Sequence, residues 1–261
     1  MADERWPKDN RSTGIVCVRG AGQALAAWKV RGHPAVQSIF AKHWDVEPQE
    51  LLTSMDGLIL WRPWQQKPQQ VSENWKTRGS WLHVDQNVFK RSELLAVQGL
   101  VNLCLADSST GGFVCIPGSH GPAFQEKICE SLGGAQNLRK RGDYMALEED
   151  NWSQQAVGIS LNPGDMLLWD GRLVHGSEPA PGLEVGCEVE SAPELLRMAI
   201  PVCMVPRHFA QNQEELAAWR AQAVAAGVTT KHWPQRQRAQ GEAAGLDFVP
   251  PELSSDMLRV L

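Results

Sequence analysis

Between residues 157 and 175 the chain changes hydropathy so often that no helix fits. The apolar run 157–161 gives way to Asn162-Pro163-Gly164-Asp165, then to the run 166–169, the pair Asp170-Gly171, and the run 172–174 leading into His175. An Asp-Gly pair between apolar runs is a strong short-range signal for a β-hairpin. Residues 166–175 are therefore predicted as two hairpin strands that deliver His175 at a strand end. The same rhythm recurs along the chain. Residues 57–61 (GLILW) are too short and apolar for a surface helix. Residues 94–105 (LLAVQGLVNLCL) are almost continuously apolar, as in a strand covered on both faces. Residues 113–116 and 198–205 add further short runs beside Gly or Pro turns. Many short strands predict a mainly β fold with flanking helices, a jelly-roll or a barrel.

The helices fall at the two ends. Residues 22–30 and 34–44 read as helices broken at Gly32-His33-Pro34, and 48–54 as a third short one with Pro48 at its first turn. Residues 212–226 form an amphipathic helix carrying Leu216 and Trp219, and 229–261 is mostly polar and irregular. The expected organisation is a single domain over 1–261: N-terminal helices at 14–56, a β core at 57–205, and a C-terminal helix and tail at 206–261. A net charge of −5 gives no reason to expect nucleic acid or an anionic membrane as partner. No apolar stretch approaches the roughly 18 residues of a membrane span, and Met-Ala-Asp-Glu-Arg-Trp-Pro-Lys lacks a signal-peptide core. Six scattered cysteines (17, 104, 115, 129, 187 and 203) form no CxxC, as expected of reduced thiols in a cytoplasmic protein. Oligomeric state is left open.

The chemistry starts at residues 81–86 (WLHVDQ). Strand alternation puts Trp81, His83 and Asp85 on one face. An imidazole and a carboxylate two residues apart can grip one cation as two legs of a 2-His-1-carboxylate triad, which leaves positions open on Fe(II). The blander alternative is a half-buried His paired with Asp. His175 is the candidate third ligand, and Arg197, opening the run 198–205, is the natural bidentate partner for a carboxylate co-substrate. Gln98 and Asn102, four apart on one strand face, need polar partners, either structural water or the active site. The remaining histidines get quieter readings. His120 is a turn residue, while His33, His43, His208 and His232 lack companions at ligand spacing and read as surface or packing residues. Asp165 and Asp170 are turn formers. The loop 62–78, with Lys67, Lys76 and Arg78, suits an anionic group or is a solvated excursion. Trp61, Trp64, Trp75, Trp81 and Trp169 lie near the site in sequence, as substrate contacts or as core filler.

Four motifs in order now resemble the phytanoyl-CoA dioxygenase family of Fe(II)/2-oxoglutarate oxygenases: WLHVDQ (81–86), GGFVCIPGSH (111–120), NPGDMLLWDGRLVHGS (162–177) and RMAIPVCMV (197–205). The resemblance spans about residues 57–205. It implies a double-stranded β-helix (jelly-roll, cupin-like) in which His83, Asp85 and His175 ligate iron and Ser177 and Arg197 hold the far carboxylate of 2-oxoglutarate. It also implies a co-substrate contact at Asn102, with Gln98 beside it. One departure stands out: Arg197 lies 22 residues beyond His175, with residues 179–194 inserted as a lid or a surface loop. Arg207 is the fallback for the carboxylate. The function implied is O₂-dependent oxidation, most simply hydroxylation, of a C–H bond in a small-molecule substrate, with release of succinate and CO₂. Related halogenases replace the carboxylate ligand by Gly or Ala, so Asp85 argues for oxidation instead. The alternatives are a non-catalytic jelly-roll that binds a small molecule, and a zinc hydrolase, for which no Glu lies close in these motifs.

Overall fold

Two segments of this chain pass strand by strand between two antiparallel sheets. The computed structural model describes residue 6 and residues 12–64, 76–79, 81–147, 150–180 and 195–261. The strands are β1 (Ile15–Val16), β2 (Leu51–Thr53), β3 (Leu58–Trp61), β4 (His83–Val84), β5 (Val97–Asn102), β6 (Gly111–Cys115), β7 (Met145–Ala146), β8 (Val157–Gly158), β9 (Met166–Asp170), β10 (His175–Pro179) and β11 (Arg197–Pro206). The helices are α1 (Leu25–Arg31), α2 (Pro34–Trp44), α3 (Pro122–Ser131), α4 (Ala135–Leu138), α5 (Asp150–Ser153), α6 (Gln213–Ala225) and α7 (Ser255–Arg259). The larger sheet runs β1-β3-β11-β5-β9 with β2 also on β11, and the smaller runs β7-β4-β10-β6-β8. The chain passes from β3 to β4, β5 and β6, and later from β8 to β9, β10 and β11, so each segment winds between the sheets. This is a double-stranded β-helix.

Burial explains why these segments became strands. Every residue of β5 is buried, as its apolar run requires. Val97 and Val101, with Ile200, Val202 and Met204 of β11, face Ala27, Val36, Phe40 and Ala41 of α1 and α2. The alternate residues point inward, where Leu100 and Ala199 meet Phe113 and Cys115 of β6. Burying Phe40 completely contributes about 1.5–3 kcal/mol. Helix α2 starts where Pro34 needs no N–H partner, and the Nδ1 of His33 accepts from the Ala35 amide at 3.2 Å. The outer face of the smaller sheet (Leu82, Val84, Val114, Val174) is covered by Ile128 of α3, Leu138 of α4 and Trp152 of α5.

Two expectations need correction. Asp170-Gly171 does not close a hairpin: β9 pairs with β5, β10 pairs with β4 and β6, and no ladder joins β9 to β10 among the described residues. The pair makes a corner between sheets, held by Leu173 N to Asp170 O (2.9 Å) and by Arg172, whose Nε and Nη2 donate to Asp170 Oδ1 and Oδ2 at 2.9 and 2.6 Å. Residues 48–54 form one 3₁₀ turn (Pro48–Glu50) followed by β2, so 14–56 supplies strands as well as helices. The tail 229–261 carries α7 and a Thr230–Ala239 bridge and otherwise has neither helix nor strand, in keeping with its irregular sequence. Lys67, Trp75, Cys187 and residues 181–194 of the inserted excursion lie outside the described residues. Among those described, five cysteines are free thiols and no helix is long and apolar enough to cross a membrane.

Candidate active site

The two histidines meet because β4 and β10 are antiparallel neighbours with His83 and His175 directly opposite. Their ring centroids stand 4.4 Å apart. Asp85, one residue past β4, is turned toward them by the Gly171 carbonyl, which accepts from the Asp85 and Gln86 amides at 3.1 and 2.9 Å. The corner that launches β10 therefore also fixes the carboxylate. Asp85 Oδ2 lies 3.3 Å from His175 Nε2 and 3.7 Å from His83 Nε2, and one potential ligand atom from each residue lies within 4.8 Å of the other two. All three side chains are buried.

Both rings are oriented by main-chain carbonyls two residues upstream. His83 Nδ1 is 3.1 Å from Trp81 O, and His175 Nδ1 is 2.9 Å from Leu173 O. A carbonyl only accepts, so each Nδ1 carries the hydrogen and each Nε2 lone pair faces its companions. This is the arrangement expected of metal-binding imidazoles. Gln98 on β5 donates from Nε2 to Asp85 Oδ2 at 2.8 Å. Burial alone would push the Asp85 carboxyl up, but His232, His83 and His175 outweigh it and hold it well below the usual range. Burial, reinforced by His83 and opposed by Asp85, pushes the His175 imidazole down toward its neutral form. Two imidazole Nε2 atoms beside an ionised carboxylate are the donor set a divalent cation needs.

The three side chains line a cavity of about 330 Å³ that also contains Gln98, Ser177 and Arg197. Arg197 opens β11, is 1% exposed, and lies with its guanidinium carbon 4.6 Å from the centre of the Trp61 ring. Its Nη1 donates to Ser177 Oγ at 2.9 Å, while its Nε is buried without a hydrogen-bond partner among the described residues. Burial lowers its pKa to about 10, so it stays charged at neutral pH, and no carboxylate pairs with it among the described residues. A buried cation with an unused donor is costly unless an anion arrives. The fallback residue, Arg207, points elsewhere, donating to the Gln49 and Arg259 carbonyls at 2.9 and 2.7 Å.

Aromatic rings wall the rest. Trp81 stacks on His83 at 4.9 Å and 11°, Trp169 lies 5.1 Å from His175, and Tyr144 4.9 Å from His83. Arg78 reaches the cavity; Lys76 and Trp64 do not line it. Asn102 requires a correction. Its Nδ2 is spent on the Leu161, Asn162 and Cys104 carbonyls, and it does not line the cavity. So does His232, expected as a surface or packing residue. It stands in the cavity wall beside Lys231 and Gln240, with Nε2 3.8 Å from Asp85 Oδ1. Asp56, which sequence reading passed over, is buried in the same wall and accepts from Ser54 Oγ at 2.7 Å; burial raises its pKa, against the pull of His232. Neither residue sits in a recognisable spacing. A larger groove of about 560 Å³ opens along β6 and β8, but His83, Asp85, His175 and Arg197 do not reach it.

The family model described as phytanoyl-CoA dioxygenase (PhyH) matches residues 28–181, more than half of the chain. The chain belongs to the phytanoyl-CoA dioxygenase family. A curated relative, the Ava biosynthesis cluster protein O of Aspergillus versicolor, is 30% identical over 203 residues, covering 74% of this chain and 58% of that protein. The chain thus spans rather more than half the length of this relative. Solved structures similar to it include SnoN, a non-heme alpha-ketoglutarate-dependent epimerase from nogalamycin biosynthesis (17% identity, 77% of this chain and 66% of that one, TM-score 0.46). Another is EctD from S. alaskensis with bound Fe (17% identity, 72% and 55%, TM-score 0.40). The family match covers His83, Asp85, His175 and Ser177, while Arg197 and His232 lie beyond it.

Proposed function

We propose that this member of the family is an Fe(II)- and 2-oxoglutarate-dependent dioxygenase that oxidises, most simply hydroxylates, a C–H bond of a small molecule. The observation that carries the reading is the shared cavity. Two imidazoles presenting Nε2 and a carboxylate converge at one end, and a buried guanidinium that has no counter-ion among the described residues lies in the same space. His83, Asp85 and His175 would hold the iron, and Arg197 with Ser177 the distal carboxylate of 2-oxoglutarate. Iron, 2-oxoglutarate and O₂ together supply an oxidant strong enough for an unactivated C–H bond, with succinate and CO₂ as by-products.

The chain's own contribution is placement and exclusion of water. Gln98 fixes the carboxylate ligand, the two carbonyls fix the imidazole tautomers, and Trp81, Trp169 and Phe113 keep the space around them apolar. A cavity of about 330 Å³ suits a small metabolite. Its wall offers both an acidic group, Asp56, and basic ones, Arg78 and Lys231, so charge alone does not name the substrate class. The free thiols suit a reducing, cytoplasmic setting. The test is anaerobic addition of Fe(II) and 2-oxoglutarate to the folded, metal-free protein, followed by exposure to O₂. A weak visible charge-transfer band and succinate release are expected. Folded protein showing neither would leave a non-catalytic binding protein.

A further inference from the structure

His232 reaches the cavity from a segment that the family match does not cover, and the chain on both sides of it is pinned. Upstream, Thr229 Oγ1 accepts from the Gly22 amide at 3.0 Å. Thr230 exchanges two hydrogen bonds with Met55, its amide donating to Met55 O at 2.8 Å and its Oγ1 accepting from Met55 N at 2.9 Å. Downstream, Trp233 is buried against Ala96, Cys203 and Val205, and the Pro234 carbonyl accepts from Arg220 Nη1 at 3.2 Å. Thr229 O and the Gln240 amide close the loop at 2.8 Å. Where His232 points is therefore set by its neighbours.

Its Nε2 is buried and has no hydrogen-bond partner among the described residues. An unpaired buried polar group of this kind is destabilising. Packing does not require the nitrogen, since a hydrocarbon ring would contact Trp233 as well. His232 is also not grouped with the potential metal ligands, which are His83, Asp85 and His175. What it approaches is the other oxygen of one of them. Asp85 Oδ2 faces the two imidazoles and accepts from Gln98, whereas Oδ1 faces His232 Nε2 at 3.8 Å. That gap is beyond hydrogen-bond range, though short enough for a small carboxylate rotation to close it.

We propose that His232 is a positioning residue of the metal centre: when a divalent cation binds through Asp85 Oδ2, His232 Nε2–H closes onto Oδ1 and holds the carboxylate in its one-oxygen binding mode. The inference rests on the metal-centre reading above and extends it to the C-terminal segment. A carboxylate whose second oxygen is left in buried surroundings needs a donor there, and such outer partners set ligand orientation and metal affinity. Gln98 serves Oδ2 from β5, and His232 serves Oδ1 from the opposite wall.

The experiment titrates Co(II), whose visible bands report ligand geometry, anaerobically into metal-free wild-type, His232→Phe and His232→Gln proteins. The Phe variant, which keeps a ring and removes the donor, should bind Co(II) about ten- to a hundredfold more weakly, with shifted bands. The Gln variant, whose amide can still donate, should recover most of the affinity. Melting temperatures of the metal-free proteins record whether each variant folds. A folded Phe variant that matches wild type within about twofold, with unchanged bands, overturns the proposal. A second measurement needs no variant: Co(II) should slow hydrogen exchange of the wild-type amides at 230–233, and unchanged exchange there overturns it as well. Wild-type protein that binds no Co(II) would remove the metal-centre reading and this inference together, whereas normal wild-type binding with an indifferent Phe variant removes only this one.

Discussion

Arg197 and Ser177 belong to different sheets, yet the guanidinium of one donates to the hydroxyl of the other at 2.9 Å. The bond fixes one arm of the guanidinium and leaves Nε for an incoming anion. Arg197→Met should raise the KM for 2-oxoglutarate by about a hundredfold or more, the loss expected when a charged hydrogen-bond partner goes. Ser177→Ala should cost roughly tenfold. Metal affinity, measured separately by titration, should stay near wild type in both. Loss of metal binding in Arg197→Met would show that the guanidinium organises the whole cavity instead of the co-substrate end.

Gln98→Leu tests the other end. Removing the 2.8 Å bond to Asp85 Oδ2 frees the carboxylate to rotate and leaves it without that donor. Fe(II) affinity should fall by about tenfold, with the KM for 2-oxoglutarate changed little once iron is saturating. Equal Fe(II) affinity in the two proteins would make Gln98 a packing residue.

These residues show what a sequence can and cannot disclose. His83, Asp85, His175 and Arg197 stand out because strand alternation and motif order survive as local patterns, and local patterns are what a chain records directly. The all-buried run of β5 was legible for the same reason. The Asp170-Gly171 corner was misread because a two-residue joint looks identical whether the following strand pairs with the preceding one or crosses to the facing sheet. That choice is made by what β5, β6 and β4 offer as partners, far away in the chain. His232 was invisible because its partner, Asp85, is a long-range neighbour and its own surroundings, Lys231 and Trp233, carry no ligand spacing. Asn102 was overvalued for the converse reason: its strand face was right, but its position at the strand end gave its amide three carbonyls to satisfy.

Asn102→Ala turns that correction into a measurement. The substitution strands the Leu161, Asn162 and Cys104 carbonyls and should lower stability by about 1–3 kcal/mol in denaturant unfolding. The KM for 2-oxoglutarate should stay within about twofold of wild type, since a group that does not touch the co-substrate contributes no binding energy to it. A large KM effect in a stable variant would restore Asn102 to the co-substrate site.

The pH dependence of metal-free stability should carry the signature of His175. Its folded pKa lies below the ordinary value of 6.5, so the unfolded chain takes up this proton first as pH falls. Stability contributed by the neutral buried ring is present above about pH 6.5 and is lost progressively below it. Asp56 works in the opposite sense, because burial raises its pKa and stability from its neutral form fades as pH rises. The clean readout is therefore the difference between variants. His175→Gln should show a shallower fall in melting temperature between pH 7 and 5 than wild type. Parallel curves would mean that the ring is protonated as easily in the fold as in the open chain.

Arg220 offers a stability test of the C-terminal segment, away from the chemistry. It is 1% exposed on α6, and its guanidinium donates to three main-chain oxygens: Leu261 O at 2.6 Å, Thr53 O at 2.6 Å and Pro234 O at 3.2 Å. Burial, with Arg207 and Arg31 adding to it, lowers its pKa to about 9, so it is still charged at neutral pH. One side chain thus joins β2, the His232-bearing loop and the end of the sequence. Arg220→Met keeps the aliphatic stem and removes every donor, which takes one hydrogen bond from each of those oxygens. The expected loss is about 2–4 kcal/mol, the lost hydrogen bonds offset by relief of burying a charge. Because Pro234 lies two residues from His232, the same variant should also weaken Co(II) binding modestly. A destabilised Arg220→Met protein with wild-type Co(II) affinity would mean that the loop holds its place at the metal centre through Thr229, Thr230 and Trp233 alone.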